Sequence, residues 1–222
     1  MDIMPFIISA KTAVVATAIV FVLGIAAAYF VGKTKKLSPV FDSVFTLSMV
    51  LPPTVIGFFL LVIFGKSSKI GSFLSDIGFQ IVFTWYGAVV ASVCAGFPLM
   101  YRTSRGAFEQ LDRDMLYAAQ TLGMSEWKIF KNIMLPNSIP SIAAGTVLAF
   151  ARSLGEFGAT IMLAGNIRGK TQTIAIAVYQ AVQNGNRRLA YSYAGVMIII
   201  SFVCMFAINL FERIQSGKSG ER

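Results

Sequence analysis

Residues 12–31 read TAVVATAIVFVLGIAAAYFV, a run of twenty residues without a charged side chain. The hydrocarbon core of a bilayer is about 30 Å thick, and an α-helix of about 20 apolar residues crosses it. The run ends at Gly32 and is followed by Lys33, Lys35 and Lys36. A secretory signal has a shorter apolar core, which a small-residue cleavage site follows. The stretch therefore predicts a retained transmembrane helix near the N-terminus.

The rest of the chain has the same apolar character. It is 56% hydrophobic and only 13% charged, whereas soluble domains are about 25% charged. The apolar runs do not alternate with polar residues, which disfavours a β-barrel, and backbone groups in lipid must pair within a helix. We predict an all-α polytopic membrane protein in which residues 1–222 form a single membrane domain. The five predicted transmembrane helices are residues 10–32, 44–64, 81–101, 139–163 and 193–211.

The orientation of the chain follows from its loops, because lysine and arginine are enriched on the cytoplasmic side. With the N-terminus outside, the inner segments hold eleven of the 19 cationic residues and the outer segments hold seven. This bias predicts that the N-terminus is outside and that the C-terminus and the 102–138 segment are cytoplasmic. The inner cations are Lys33, Lys35, Lys36, Arg102, Arg105, Arg113, Lys128, Lys131, Arg213, Lys218 and Arg222; the outer ones are Lys11, Lys66, Lys69, Arg168, Lys170, Arg187 and Arg188.

Composition also excludes several functions. The positive charges of the inner loops explain the net charge of +9. The sequence shows no soluble basic domain with an aromatic platform, so it does not suggest nucleic-acid binding. The chain has no histidine, which argues against histidine-based metal sites and acid–base catalysis. Cys94 and Cys204 both lie within apolar runs, so we interpret them as small buried residues. We therefore expect no catalytic residue, no metal site and no cofactor.

The longest polar stretch contains the segment YAAQTLGMSEWKIFKNIMLP, residues 117–136. It predicts two short helices broken at Gly123, because glycine permits a left-handed turn. Ser125 can cap the second helix, and Glu126 lies in its first turn, where the helix dipole favours a carboxylate.

An apolar stripe follows in the second short helix. Trp127, Phe130 and Met134 share one face, and Pro136 is expected to end the helix before the next span. From physical considerations alone, such an amphipathic element can lie on the inner membrane surface or contact a partner.

The same residues resemble the Glu-Ala-Ala loop of ATP-binding-cassette importer permeases, whose pattern continues with a glycine and an Ile-x-Leu-Pro sequence. The resemblance implies an importer permease of the type I fold, with a cytoplasmic coupling loop at residues 112–136 that docks on an ATP-hydrolysing subunit. Tyr117 departs from the family's glutamate, so a polar contact by that residue is not implied. The matching positions are Ala118, Ala119, Gly123, Ile133, Leu135 and Pro136, and the coupling residues are completed by Tyr117 and Trp127.

The fourth predicted span contains two charges, Arg152 and Glu156, which share a helix face because they are four residues apart. A charge within a span costs on the order of 2.5–3.5 kcal/mol, so the pair should face the bundle interior, a subunit interface or water. A structural ion pair is one interpretation. The other is a pathway or gate element that includes Ser153.

Two further segments are informative. Pro52 and Pro53 lie within the second predicted span, where they remove backbone donors and break the helix; they form either a packing kink or a bent helix that lines a pathway. In the outer connection 164–192, apolar residues at helical spacing predict a short amphipathic helix that Gly185 ends.

Residues 150–160, FARSLGEFGAT, and residues 51–57, LPPTVIG, resemble molybdate permeases, and the resemblance covers residues 8–213. Sulfate permeases share the Gly-Glu-Phe-Gly core. The resemblance implies two ATP-binding subunits, an external oxyanion-binding protein and a location in the cytoplasmic membrane. A homodimer is expected because five helices enclose a path poorly. No phosphate-binding G-x-x-x-x-G-K-[ST] loop is present, so a partner must supply the energy.

Two other classes of protein are disfavoured. A membrane hydrolase needs a nucleophile with a base or metal ligands, and Glu156 is the only carboxylate within a predicted span. A secondary transporter is expected to show paired halves, and no internal repeat is visible. Molybdate, tungstate and sulfate are all tetrahedral dianions, so the physical argument leaves the choice among them open.

Overall fold

The computed structural model describes residues 1–34 and 36–219, with side chains as far as residue 206. These residues contain eleven α-helices and one π-helical turn, and no strand occurs among them. The π turn, Phe130–Met134, joins α7 to α8 without a break. The helices are α1 Met4–Lys33, α2 Ser38–Val50, α3 Pro53–Phe64, α4 Lys69–Asp76, α5 Trp85–Glu109, α6 Arg113–Thr121, α7 Glu126–Ile129, α8 Leu135–Leu154, α9 Gly158–Leu163, α10 Ile174–Gln183 and α11 Arg187–Ser219.

The centre of the fold is formed by α1, α5 and α8, which pack against one another along their lengths. Their shared core includes Val20 of α1, Met100 and Tyr101 of α5, and Ala149 of α8, all at most 1% exposed. The small side chains of α1 and α8 let the larger residues of α5 fill the space between them. This bundle fixes the positions of the less regular segments described below.

Among the described residues, three continuous helical stretches are long and apolar enough to cross a membrane by length and composition: Met4–Lys33, Glu126–Leu154 and Arg187–Phe206. They include the predicted spans 10–32, most of 139–163 and most of 193–211. The bent pair α2–α3 would make a fourth span. The third predicted span, 81–101, lies in α5, which begins only at Trp85 and extends to Glu109. Helix α5 is not among the stretches that are apolar enough, and the number of five spans stays a prediction.

The second predicted span, 44–64, does not form one helix. It consists of α2 and α3, whose axes differ by 112°. The chain is extended at Leu51 and Pro52, with ψ values of 138° and 137°, and Pro53 begins the next helix. Proline has no N–H to donate and disfavours a helical residue before it, so two consecutive prolines turn the chain rather than kink one helix.

The fourth predicted span, 139–163, is also interrupted. Helix α8 ends at Leu154, and the short helix α9 begins at Gly158. The three residues between them, Gly155–Phe157, carry the buried carboxylate of Glu156. At the break this carboxylate accepts the backbone N–H of Ala159 at 2.8 Å and so replaces a helical hydrogen bond.

The amphipathic helix predicted within residues 164–192 is confirmed as α10, with Ile174, Ala177 and Ala181 buried and Gly185 at a φ of +70° after its end.

At the same end of the molecule, Asp2 Oδ2 lies 3.3 Å from Arg168 Nη2. The backbone N–H of Met4 donates to Asp2 and, with Arg168, lowers the pKa of its carboxyl. The N-terminus is thereby tied to the loop before α10.

Candidate functional site

The coupling segment, residues 112–136, has the predicted helix–glycine–helix geometry. Asp112 caps α6 by accepting the N–H of Asp114 at 2.9 Å. After α6, Gly123 has a φ of +73°, and its N–H donates to Gln120 O at 2.9 Å. The predicted cap of the second helix is confirmed, since Ser125 Oγ accepts the N–H of Lys128 at 3.4 Å. Both ends of α6 and the start of α7 therefore have their own capping contacts.

Three large side chains of this segment are exposed and define what we call the coupling face: Tyr117 at 56%, Leu122 at 81% and Trp127 at 63%. Ala119 is buried against the protein, whereas Ala118 and Gly123 are exposed. Exposed aromatic and aliphatic groups around a small-residue helix let a second surface approach closely. The coupling face therefore has the chemistry of a protein-docking site.

The prediction that Pro136 ends the second helix is wrong. Helix α7 continues through the π turn into α8, and Pro136 occupies its first turn. A proline is tolerated there because the wider π turn already disrupts the regular hydrogen-bond ladder, so the missing N–H is accommodated. Ile133 and Leu135 are half-buried and Pro136 is exposed. The three residues join the coupling segment to α8 and do not separate them.

The coupling segment is fastened to the end of α1, a contact that the sequence did not reveal. Lys33 Nζ forms an ion pair with Glu126 and lies 4.3 Å from the centre of the Tyr29 ring. The Tyr29 ring lies 4.4 Å from that of Phe130, which is buried in the central core. The spacing of 93 residues between Lys33 and Glu126 left no local signal by which sequence patterns could have identified this pair.

The second candidate site surrounds the break between α8 and α9. Arg152 Nη1 lies 2.7 Å from Glu156 Oε2, and Glu156 Oε1 accepts the N–H of Ala159 at 2.8 Å. Glu156 is 2% exposed, whereas 35% of the Arg152 side chain is accessible. Both oxygens of the carboxylate have a donor, which is the condition for burying a charge. The predicted pairing of Arg152 with Glu156 is present.

Ser153 belongs to the packing between α8 and α5. Its hydroxyl is buried and donates to the carbonyl oxygen of Ser92 at 3.2 Å. The Ser92 hydroxyl approaches the Ser153 carbonyl oxygen at 3.4 Å. The two serines thus satisfy each other and hold the end of α8 against α5.

The two interrupted segments meet. A β-carbon at Gly158 of α9 would lie 2.8 Å from the β-carbon of Pro53, and one at Gly57 of α3 would lie 2.8 Å from the α-carbon of Ala159. Only glycine permits such approaches without displacing a neighbour. The Pro52–Pro53 turn and the Glu156 break are therefore neighbours in space, although about 100 residues separate them in the sequence. Prolines mark one segment and charges mark the other in the sequence, but no sequence pattern indicates that the two touch.

Within the part of the chain that the structure describes, no group of three or more His, Cys, Asp or Glu side chains is placed to hold a metal ion. The chemistry available at the α8–α9 break is electrostatic. A partly accessible guanidinium can attract an anion, and the buried carboxylate beside it weakens that attraction.

Residues 20–217 match the family described as binding-protein-dependent transport system inner membrane component. The chain belongs to this family. It is a multi-pass membrane protein and a membrane subunit of a transport system.

Among curated relatives, the putative molybdenum transport system permease protein YvgM of Bacillus subtilis is 44% identical over 212 residues, which cover 92% of this chain and 91% of YvgM. The molybdenum transport system permease protein ModB of Escherichia coli is 43% identical and covers 81% of this chain and 79% of its own length. The sulfate transport system permease protein CysT of Escherichia coli is 33% identical over 77% of this chain and 62% of CysT.

Solved structures share the fold at low sequence identity. A chain of the MetNI methionine ABC transporter in an inward-facing conformation matches with a TM-score of 0.73 at 15% identity, covering 95% of this chain and 94% of that chain. A bacterial ABC transporter that imports alginate matches with a TM-score of 0.72 at 16% identity, covering 96% and 81%. The prediction of an all-α permease of the type I importer fold is confirmed.

Proposed function

We propose that this chain is the permease of an ATP-driven importer whose substrate is molybdate. The observation that carries the substrate assignment is the identity of 44% and 43% with two molybdenum permeases over most of the chain. Relatives that carry sulfate are less similar and share less of their length. Tungstate and sulfate remain the alternative cargoes, because each is a tetrahedral dianion with the same recognition chemistry.

The proposed machine needs partners. The coupling face, with its exposed Tyr117, Leu122 and Trp127, supports docking on a cytoplasmic ATP-binding cassette subunit. The sequence contains no phosphate-binding loop of its own, so ATP hydrolysis belongs to that partner. We further propose two cassette subunits, a second copy of this chain and an external oxyanion-binding protein, with lipid around the apolar helices.

The substrate path is proposed to pass the place where the two interrupted segments meet. Broken helices at the depth of the membrane are tolerated where they are buried in protein or line a cavity, and transporters place substrate sites at such breaks. Pro52, Pro53, Arg152, Ser153 and Glu156 all lie at or beside the breaks of this chain. The accessible part of Arg152 would attract the dianion, and Glu156 would keep the attraction weak enough for release.

Oxyanion uptake tests the substrate assignment. In cells that contain the partner proteins, uptake of labelled molybdate is expected to require this chain. Excess tungstate should compete, and excess sulfate should leave molybdate uptake nearly unchanged. Equal competition by sulfate, or sulfate uptake that depends on the chain, would replace molybdate by sulfate as the cargo. Molybdate uptake that is independent of ATP would contradict the importer class.

The proposed orientation has the N-terminus outside and the coupling segment inside. A cysteine at the exposed position Gln120 is expected to be protected from an impermeant thiol reagent in intact cells, whereas a cysteine at the exposed position Asn186 should react. The background should lack Cys94 and Cys204, so that only the introduced thiols are measured. Permeabilised cells provide the control, because both positions should then be labelled. Labelling of position 120 alone in intact cells would reverse the orientation.

A further inference from the structure

A cavity of about 760 Å³ lies between the ends of α1 and α5 and the first helix of the coupling segment, α6. Ligand sites in proteins enclose about 300–1,000 Å³, so the cavity is of suitable size. One part of its wall is apolar and is formed by Ala28, Phe108 and Leu116. The other part is cationic and is formed by Lys33, Arg105 and Arg113.

The cationic side chains outnumber the acidic ones in this wall. Glu109 is the only carboxylate that lines the cavity among the residues the structure describes, and it lies 2.8 Å from Arg105 Nε. Lys33 pairs with Glu126 at the rim of the neighbouring cavity. Arg113 is exposed and has no carboxylate within 4.0 Å in the described part of the chain. Its guanidinium is therefore available to an anion.

Arg105 lines the cavity with a guanidinium that already has partners. Its Nη2 donates to Ser38 Oγ at 2.8 Å, and its Nε is paired with Glu109. Its Nη1 is buried with no hydrogen-bond partner among the described residues. An unpaired buried donor atom is rare, but the Glu109 carboxylate already balances the charge of this guanidinium. The unpaired positive charge of the wall therefore comes from Arg113.

We propose that this cavity binds the phosphate group of an anionic phospholipid, with Arg113 and Lys33 on the phosphate and the apolar wall on the glycerol and the first part of the acyl chains. Basic pockets between transmembrane helices at the cytoplasmic surface bind anionic headgroups. A free phosphate ion has no apolar part that could pack against the apolar wall. The assignment to the inner leaflet rests on the proposed orientation, whereas binding itself does not depend on the substrate or on the orientation.

The bound lipid would connect three elements, and a relative movement of these elements would break its contacts with them. It would contact α1 through Lys33, α5 through Phe108 and the coupling segment through Arg113. The coupling segment would then be anchored to the bundle by lipid as well as by the Lys33–Glu126 pair. An importer built this way depends on anionic lipid for the placement of its coupling face.

Lipid titration of the purified complex in detergent tests the proposal by native mass spectrometry. Phosphatidylglycerol is expected to bind more tightly than phosphatidylcholine. The Arg113→Gln variant should weaken phosphatidylglycerol binding about fivefold, the effect of one cationic side chain near an anionic headgroup. The double variant Lys33→Gln/Arg113→Gln should weaken it about 25-fold. The matched control is Arg102→Gln, because Arg102 is exposed on α5 and does not line this cavity.

Several outcomes would overturn the proposal. Equal binding of the two lipids, or equal losses in Arg113→Gln and Arg102→Gln, would reduce the effect to general surface charge. Displacement of the lipid by inorganic phosphate, with phosphate bound in its place, would assign the site to a free anion. None of these measurements involves transport, so failure of the molybdate assignment would leave this result unaffected.

Discussion

Glu156→Leu is expected to destabilise the protein by about 3 kcal/mol, near the lower end of the range observed when one partner of a buried ion pair is removed. The remaining Arg152 is partly accessible and can recover some hydration, which keeps the loss from being larger. The reverse change, Arg152→Leu, leaves a carboxylate that is 2% exposed with only the Ala159 N–H as its donor. We expect that variant to be at least as unstable.

The double variant Arg152→Leu/Glu156→Leu should be more stable than either single variant, because it leaves no unpaired charge. It should not reach the original stability, since the N–H of Ala159 still loses its acceptor, a loss of about 1 kcal/mol for a helix cap. Glu156→Gln is the matched variant that keeps an acceptor for Ala159. Membrane yield and the midpoint of thermal unfolding, measured for each single variant and for the double variant, give these differences in stability. Identical stability of the single and double variants would contradict the pairing.

Uptake by the same variants distinguishes a structural role of the ion pair from a role in transport. If the pair lines the path, the double variant should reach normal yield after correction for stability and still fail to transport or leak. A double variant with normal yield and normal uptake would remove both residues from the transport mechanism and leave them a structural role.

Gly123→Val is expected to abolish transport-linked ATP hydrolysis while the protein remains in the membrane. The φ of +73° is unfavourable by roughly 1–2 kcal/mol for a residue with a β-carbon and more unfavourable for a β-branched one. No atom of the described residues lies within 4 Å of the position a β-carbon would take, so the change strains the turn without disturbing the core. The coupling face should then lose its geometry. ATP hydrolysis by the complex, with and without substrate, is the measurement.

Two control variants separate strain in the turn from the added bulk of the side chain. Gly123→Asn should restore much of the coupling, because asparagine tolerates the left-handed region better than other residues with a β-carbon. Gly106→Val adds the same side chain to the helical surface of α5 and should leave coupling intact, because there too the described part of the chain has no atom within 4 Å of the added β-carbon. Normal uptake by a well-expressed Gly123→Val variant would count strongly against the coupling role of this segment.

Local chemistry is sufficient to predict several parts of this structure. The uncharged run 12–31 predicts α1, and Gly123 and Ser125 predict the turn and cap of the coupling segment, because each depends on a few neighbouring residues. Spacing by four residues predicts the Arg152–Glu156 pair for the same reason.

Other features depend on contacts between distant segments. An apolar run indicates how much of the chain prefers lipid, but it does not indicate where the chain turns. Residues 44–64 and 139–163 therefore each resemble one span in the sequence. Their breaks are supported by the contact of Gly57 and Gly158 with the opposite segment. The prediction for Pro136 fails because the π turn before it lies in the same helix and accommodates the ring. The Lys33–Glu126 pair has no local pattern at all.

The continuity of α7, the π turn and α8 has a mechanical consequence. The helical stretch Glu126–Leu154 contains 29 residues, which at 1.5 Å per residue makes a lever about 44 Å long. One end carries Trp127 of the coupling face, and the other ends beside Glu156. A tilt of about 5° at the Trp127 end would displace the far end by nearly 4 Å over that length if the stretch moved as one rod. A force from the proposed ATPase partner would therefore reach the α8–α9 break along one helical stretch, in which the π turn and Pro140 are the places where bending is easiest.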